Sequence, residues 1–317
     1  MTQPVPMTMM SLVADYLDVR RAAGFALVHE ESQLRAFALF ADRRNHSGTI
    51  TTDLALEWAQ ASRYGRQITA ARRVEVLRPF MKHCVSLGRA TGIVSRHACG
   101  PAHRRLAPHI YTGAEILDLL QAAACLCPKD GLRPVTYATL FGLLAATGMR
   151  LSEALQLERK DVDLDHCILT VRETKFRKSR LVPIHTTTAT ALRDCEAIRR
   201  YHGSTLGSAF FFVSEAGKRL ASRTVEDTFD RLRKQLAWKA RGGHPQPRLH
   251  DLRHTFICRA VLRGSQETTR VDSIVDAIAT YVGHVKVSGT YWYLSATPEL
   301  MAAASARFEC FAEGGAR

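Results

Sequence analysis

The stretch Ala146-Thr-Gly-Met-Arg-Leu-Ser-Glu-Ala-Leu155 interrupts an apolar helical pattern and places Arg150 in the interruption. The pattern of residues 134–146 ends at Thr147-Gly148, and a helix begins again at about Leu151. Four more features follow in the chain: Lys175 in a charged hairpin turn, His250-Asp-Leu-Arg253-His254, Gly283-His284 and Thr290-Tyr-Trp-Tyr-Leu294. None of these motifs is specific alone, but the five in this order form a specific signal.

The two arginines Arg150 and Arg253 have the chemistry of a phosphate clamp. Attack on a phosphodiester puts extra negative charge on its non-bridging oxygens, and a guanidinium meets two such oxygens with parallel donors. His250 stands three residues before Arg253 near the start of a predicted helix, so both side chains fall on neighbouring parts of one face. The sequence therefore predicts that both reach one phosphate. An isolated arginine in so basic a chain would by default be a surface or structural residue.

The ordered set strongly resembles the catalytic domain of the tyrosine recombinase, or phage integrase, family over roughly residues 110–317. The resemblance implies that His250 assists proton removal from the nucleophile and that His284 donates a hydrogen bond to a non-bridging oxygen. It also implies a tyrosine nucleophile, whose phosphate ester conserves the bond energy, so that rejoining needs no ATP. Tyr291 and Tyr293 compete for this role, and the family spacing of nine residues after the Gly-His histidine favours Tyr293.

The same resemblance assigns a general acid and a supporting carboxylate. Lys175, in the hairpin turn, is the proposed donor of a proton to the departing 5′ oxygen, and Lys178 is the competing candidate. Aligning back from Arg180-Leu-Val-Pro183 favours Lys175. Glu153, one turn after Arg150, is expected to hold either the clamp arginine or the hairpin through a charge-assisted bond.

The composition indicates a globular protein with a polyanionic partner. The chain has 317 residues, 46% of them hydrophobic, which predicts two domains with real cores. Its formal net charge is +14 and its pI is near 9.7, so it attracts nucleic acid. Residues 1–110 hold 15 lysines and arginines against 8 acids, and the remainder holds 29 against 22. Both parts are therefore expected to touch the polyanion.

The first part of the chain reads as a small helical bundle followed by an extended linker. Ten basic residues and a single acid, Glu75, lie between Arg63 and Arg105, and the stretch from Gly88 to Pro108 lacks helical periodicity. Such a density suits a helix and a linker lying along DNA phosphates, although a solvated basic face is the alternative. The candidate DNA-binding residues are Arg63, Arg66, Arg72, Arg73, Lys82, Arg104 and Arg105.

The predicted fold class is mainly α with a small antiparallel β-sheet. Residues 1–108 are predicted to be a helical DNA-binding (core-binding) domain with its linker, and residues 109–317 an α+β catalytic domain. The sheet is expected within residues 162–184, where the period changes to β-rich runs around the hairpin. A last amphipathic helix over 298–312 is expected to pack either on its own domain or into a neighbouring subunit.

The sequence argues against a metal site, a disulfide framework and a membrane-spanning segment. Its eight cysteines lack the paired spacing of a zinc site or a disulfide framework, and the pair Cys125-Leu-Cys127 has no second pair of ligands. No export signal and no run of 18 apolar residues is evident. We therefore expect a cytoplasmic, nucleoid-associated protein that needs no cofactor.

The functional expectation is a site-specific recombinase that cleaves and rejoins double-stranded DNA, of the kind carried by mobile elements. The resemblance implies a homotetramer on synapsed DNA, with accessory recombination factors as further partners. A type IB-like topoisomerase and a non-catalytic DNA-binding protein on the same fold are the alternatives. A metal-dependent nuclease is disfavoured because no carboxylate cluster is evident.

Overall fold

In the computed structural model, the described residues are 8–46, 48–61, 67–103, 106–172, 179–202, 207–267, 271–284 and 305. Over these residues the chain is mainly helical with one small antiparallel sheet, so the predicted fold class is confirmed. The chain divides into two compact units, Met1–Arg105 and Leu106–Arg317. The separate tasks predicted for residues 1–108 and 109–317 stay predictions, and the predicted helix 298–312 lies outside the described residues.

Both units are built mainly from helices. In the first unit they are α1 (Met9–Ala22), α2 (Val28–Arg43), α3 (Thr52–Gln60) and α4 (Gln67–Ser86). In the second they are α5 (Gly113–Ala124), α6 (Leu132–Thr147), α7 (Leu151–Gln156), α8 (Thr186–Tyr201), α9 (Ser222–Leu236), α10 (Asp251–Glu267) and α11 (Val271–Val282). None of the helices in the described ranges combines the length and apolar character needed to cross a membrane.

The first unit is a helical bundle held by aromatic packing. Phe37 of α2 lies edge-on to Trp58 of α3, with ring centroids 5.5 Å apart, and Tyr16 of α1 meets Phe80 of α4 at the same distance. All four rings are buried. Edge-to-face pairs of this kind add to the free energy gained by burying the rings themselves. The side chain of Thr51 caps α3 by accepting a hydrogen bond from the Leu54 amide.

The stretch from Gly88 to Pro108 was predicted to be an extended linker, and for much of its described length this prediction is wrong. Val94, Cys99 and Ala102 are buried in the core of the helical bundle. Ile50 and Ala90 also form a parallel β-bridge that ties the stretch to the entrance of α3. Sparse apolar residues in a Gly- and Pro-rich segment bury without periodicity, which is why the pattern gave no helical or strand signal.

The second unit contains the predicted sheet between α7 and α8. Its strands are β1 (Val162–Asp163), β2 (Ile168–Val171) and β3 (Arg180–Pro183), in the order β1-β2-β3 and all antiparallel. Leu169 pairs with Val182, and both side chains are buried against the helices, whereas Arg180 starts β3 opposite Val171. The turn that joins β2 to β3, residues 173–178, lies outside the described residues.

The break between α6 and α7 depends on Gly148. This residue adopts a left-handed conformation, with φ of +61°, and its amide donates to the carbonyl of Leu144, 3.0 Å away. A Cβ at this position would stand 2.5 Å from the ring of Phe256 on α10. Both the backbone conformation and the close approach therefore require glycine, and Arg150 follows two residues later.

A buried arginine holds the loop that leads from α8 towards α9. Arg199 is 4% exposed, and its guanidinium donates to the carbonyl of Ser208 at 2.8 Å, to that of Phe211 at 3.0 Å and to that of Phe210. One side chain thus satisfies three backbone acceptors of an irregular segment. Buried carbonyls without donors are costly, so this arginine stabilises the second unit.

Replacing Arg199 by methionine keeps most of its volume and leaves those three carbonyls without their donor. We expect Arg199→Met to lower the free energy of unfolding by about 2–4 kcal/mol. Arg200→Met is the matched control, since Arg200 is exposed and pairs only with Glu196 one turn away; its effect should stay below about 0.5 kcal/mol. Urea denaturation followed by circular dichroism measures both, and equal losses would contradict the assignment.

Candidate active site

Arg150 stands directly before α7, where the helix break projects its side chain away from the core. Its guanidinium donates to Glu153 Oε1 at 2.7 Å and to the carbonyl oxygen of Gly283 at 3.1 Å. About a third of the side chain is exposed. The residue is therefore held at one edge by protein acceptors while part of the guanidinium faces solvent.

Arg253, in the first turn of α10, is far more buried, with only 3% of the residue exposed. It donates to the carbonyl of Gly148 at 2.7 Å and to that of Val282 at 2.8 Å. The same guanidinium thus joins the α6–α7 break to the last residue of α11. Arg150 also reaches the end of α11 through Gly283. The two arginines predicted as a clamp are consequently brought to one place by adjacent backbone acceptors, the carbonyls of Val282 and Gly283.

The two histidines of the predicted site lie beside these arginines. His250 directly precedes α10, and it lines a cavity of about 90 Å³ together with Arg253, Met149 and Glu226. His284 follows Gly283, whose φ of +69° turns the chain out of α11. The amide of His284 donates to the carbonyl of Ala279 at 2.8 Å, which fixes the histidine at the helix end.

Both imidazoles are neutral at pH 7. Burial, together with the positive charges of Arg253 and Arg248, lowers the pKa of His250 to about 4, although the outer side of the residue stays exposed. Burial lowers the pKa of His284 to about 4 as well, with Arg253 and Arg150 as the next causes. A neutral imidazole offers one nitrogen as a proton acceptor and the other as a donor.

His254, one turn beyond His250 on α10, packs against it. The two ring centroids are 4.8 Å apart and the rings are nearly perpendicular. Burial lowers the pKa of His254 to about 2, helped by the neighbouring His250 and Arg248. His254 therefore packs inside the cluster and supports the ring of His250.

Glu153 is the carboxylate at the base of this cluster and is 5% exposed. It accepts hydrogen bonds from Arg150 and from Arg180, the first residue of β3, so it contacts both the clamp arginine and the hairpin. Burial raises the pKa of this carboxyl, but the hydrogen bonds from Arg180 and then Arg150 outweigh burial and lower it. Glu153 is therefore ionised, and together with the two guanidinium groups that bond to it, those of Arg150 and Arg180, it forms a group with a net positive charge.

Two arginines of this region were not predicted to be site residues. Arg180 was used only to align the hairpin, and Arg248 was not singled out at all. Arg248 donates to the fully buried carboxylate of Asp251 at 2.7 Å and so ties the loop before His250 to the start of α10. The sequence does show Arg180 at the start of a β-rich run and Arg248 two residues before the His-x-x-Arg motif. A charged residue in such a position indicates an ion pair, but the sequence does not identify the carboxylate that forms it.

Several predicted site residues lie outside the described residues. They are Lys175 and Tyr293 with their rivals Lys178 and Tyr291, and the candidate DNA contacts Arg63, Arg66, Arg104 and Arg105. Their roles stay predictions.

Three candidate DNA contacts on α4 are described, and they differ in their surroundings. Lys82 is exposed. Arg72 is exposed as well, but its Nε donates to the carbonyl of Ala102 at 3.2 Å. Arg73 stacks on the Trp58 ring at 4.7 Å from its centroid and donates to the carbonyl of the same residue at 2.9 Å. Lys82 thus has the surroundings most typical of a phosphate contact.

Within the described ranges, no three His, Cys, Asp or Glu side chains cluster as metal ligands would. The chemistry that these residues can offer is electrostatic stabilisation of a phosphate by arginines and proton transfer by neutral imidazoles.

Comparisons with known proteins agree with this geometry. Residues 111–299 match the model of the phage integrase family. The chain is 37% identical over 306 residues to a protein of Sinorhizobium fredii named as an integrase/recombinase, y4rB, with 95% of this chain and 97% of that protein covered. It is 28% identical to the tyrosine recombinase XerC of a Roseiflexus species, over 87% of this chain and 85% of that protein.

Solved structures share the fold at lower identity. A lambda integrase dimer bound to a core site has a TM-score of 0.63 at 20% identity, covering 90% of this chain and 77% of that one. The Tn1549 transposon integrase in complex with transposon right end DNA has a TM-score of 0.65 at 16% identity, covering 96% and 100%. The family model spans more than half of the residues and includes the whole arginine and histidine cluster. The chain therefore belongs to the phage integrase family of tyrosine recombinases, and it is a site-specific recombinase that breaks and rejoins DNA strands.

Proposed function

We propose that this recombinase cleaves DNA through a 3′-phosphotyrosine intermediate formed by Tyr293, without ATP or a metal ion. The observation that carries the proposal is the convergence of Arg150, Arg253, His250 and His284 on the ends of α6 and α11. Two fixed guanidinium groups beside two neutral imidazoles are suited to a reaction at a phosphodiester.

In the proposed first step, the phenolic oxygen of Tyr293 attacks the scissile phosphorus while His250 assists removal of the phenolic proton. A bond forms between that oxygen and phosphorus, and the bond from phosphorus to the 5′ oxygen breaks. Lys175 gives the departing 5′ oxygen a proton. Arg150, Arg253 and His284 stabilise the charge on the non-bridging oxygens.

The second step reverses the first with a different strand. A free 5′ hydroxyl attacks the phosphotyrosine, its proton passes to Lys175, and the phenol leaves and regains its proton. The number of phosphodiester bonds is the same before and after, so no external energy source enters the reaction.

We propose further that the first unit binds duplex DNA through the basic residues of α4 and the following stretch, and that four copies act on two synapsed duplexes. The lambda integrase, one of the proteins with a similar fold, has been seen as a tetramer bound to a Holliday junction. The similarity to a transposon integrase supports a role in a mobile element. Accessory recombination factors and a place in the cytoplasm beside the nucleoid belong to the same proposal.

Substitution of the tyrosine tests the nucleophile. A nicked duplex, selected from random sequences by binding to the protein, should yield an SDS-stable adduct joined to a DNA 3′ phosphate. We expect the adduct with the unchanged chain and with Tyr291→Phe, which keeps the nucleophile, and none with Tyr293→Phe, which lacks the attacking oxygen. An adduct with Tyr293→Phe would refute the assignment. Equal adduct yields on unselected duplexes would indicate a topoisomerase instead.

The pH dependence of cleavage tests the neutral state of His250. An ordinary histidine with a pKa near 6.5 becomes protonated, and loses its capacity as a base, as the pH falls below that value. Because the pKa of His250 is lowered to about 4, the imidazole of the free enzyme stays unprotonated well below pH 6.5. We expect kcat/KM for adduct formation to be constant between pH 8 and 6 and to fall only towards about pH 4. A decline centred on pH 6.5 would contradict this.

The salt dependence of binding tests the DNA contact of Lys82. Each phosphate neutralised by the protein contributes about one unit to the slope of log K against log salt concentration. Lys82→Ala should therefore weaken binding and reduce the slope by about 1. Arg35→Ala is the matched control, because its charge is already paired with Glu31 on the same helix, and it should leave the slope unchanged. Fluorescence anisotropy over a salt series measures both variants, and identical slopes would exclude the contact.

A further inference from the structure

The first residue of β3, Arg180, is bound on three sides. Its guanidinium donates to Glu153 Oε1 at 3.2 Å, to Glu153 Oε2 at 2.8 Å and, through Nε, to the carbonyl of Tyr281 at 2.9 Å. Only 13% of the side chain is exposed. A two-pronged bond from an arginine to a carboxylate fixes orientation as well as distance, so Arg180 and Glu153 hold each other in place.

Glu153 divides its two oxygens between two arginines. Oε1 also accepts from Arg150 Nη1 at 2.7 Å, and Oε2 also accepts from the Arg150 backbone amide at 3.0 Å. One buried negative charge is therefore shared by two guanidinium groups. Arg180 takes the longer bond to Oε1 and the short bond to Oε2, while Arg150 keeps a second side-chain contact, to Gly283.

This sharing decides how much of the Arg150 charge is available to a bound anion. Without Arg180, Glu153 and Arg150 would form a closed neutral pair in a buried place. A buried carboxylate that has lost a partner draws strongly on the cation that remains, because the interior screens charge poorly. The Arg150 guanidinium, already 2.7 Å from Glu153 Oε1, would then be held more strongly by the carboxylate, and less of its charge would be available to a phosphate. With Arg180 present, the three groups carry one net positive charge.

Two neighbours on α11 and just after it, Tyr281 and Gly283, hold Arg180 in this position. A Cβ on Gly283 would lie 2.7 Å from Arg180 Nη1, so the guanidinium lies flat against the glycine whose carbonyl Arg150 uses. Tyr281 also binds the other end of β3, since its hydroxyl donates to the carbonyl of Pro183 at 2.9 Å. Two hydrogen bonds therefore join the end of α11 to the two ends of β3, and Arg180 donates one of them.

We propose that Arg180 is a positioning residue of the recombination reaction, which shares Glu153 with Arg150 and so keeps the Arg150 guanidinium directed at the scissile phosphate. This inference rests on the proposed function, in which Arg150 stabilises charge on that phosphate. In this proposal Arg180 acts through Glu153, to which its guanidinium bonds, and not by direct contact with the phosphate.

The test compares two substrates that differ at the scissile position, an ordinary phosphodiester and a methylphosphonate. The methylphosphonate carries no negative charge on a non-bridging oxygen, so it makes less demand on an arginine clamp. On the phosphodiester, we expect Arg180→Gln to slow adduct formation about 10- to 100-fold in single turnover at saturating enzyme, as the misplacement of a catalytic group does. On the methylphosphonate, the deficit should shrink to less than about threefold, as it should for Arg150→Gln, because the missing charge no longer matters.

Arg172→Gln is the matched control. Arg172 follows β2 at the other base of the same hairpin and pairs with a buried carboxylate, Asp161, but it does not contact Glu153. The rate of Arg172→Gln divided by the rate of the unchanged chain should be the same on the phosphodiester and on the methylphosphonate. Arg180→Lys keeps the positive charge but has one ammonium in place of the planar guanidinium, and it serves as a second variant in case Arg180→Gln does not fold. Its loss of rate on the phosphodiester should be smaller than that of Arg180→Gln, and this loss should also shrink on the methylphosphonate.

The outcomes separate the two proposals. If the unchanged chain forms no adduct on the phosphodiester, the proposed function fails. If it does, and Arg180→Gln either cleaves at the unchanged rate or loses the same factor on both substrates, the positioning role is refuted. A deficit that shrinks only on a substrate with a bridging 5′ sulfur would also refute it, because a sulfur leaving group relieves the general acid and not the clamp.

Discussion

The guanidinium of Arg253 is the contact on which the site depends, because it binds two helix ends that are distant in the sequence. Its bonds to the carbonyls of Gly148 and Val282 join the break after α6 to the end of α11. These carbonyls belong to helix termini, which leave acceptors without intrahelical donors. One buried side chain satisfies both, and in doing so it sets Arg150 and His284 beside each other. The same charge is therefore at once a structural tie and part of the candidate chemistry.

The positive charges of the site repel one another, and neighbouring groups of the protein offset this repulsion. Arg150 and Arg180 share a single carboxylate, Glu153, Arg253 donates to backbone carbonyls, and the imidazoles of His250 and His284 stay neutral. Backbone carbonyls at the ends of α6 and α11 supply the remaining partial negative charge. The positive charge of these guanidinium groups would favour the binding of an anion such as a phosphate.

Much of the fold could be predicted from sequence, because helical periodicity and the change to β-rich runs at residues 162–184 are local signals. The predicted sheet is confirmed, and so is the helix break before Arg150. Arg150, His250, Arg253 and His284 could be selected because their motifs recur in a fixed order. Their catalytic roles have not been tested by the structure.

Other features could not be predicted, for physical reasons. Arg180 meets Glu153 across 27 positions of the chain, and no periodic pattern reports an ion pair between a strand and a short helix. The stretch after Gly88 was misread because its apolar residues occur as short pairs, Ile93-Val94 and Ala98-Cys99, without a helical or strand period. The burial of Val94 and Cys99 depends on contacts with the folded bundle.

The two left-handed glycines bear on how such an enzyme changes over time. Gly148 and Gly283 each combine a positive φ with a neighbour closer than any Cβ allows, Phe256 in one case and Arg180 in the other. A side chain at either position would strain the backbone, and at Gly148 it would also have to displace the Phe256 ring. The two glycines therefore limit which single substitutions the chain can accept directly beside Arg150 and His284.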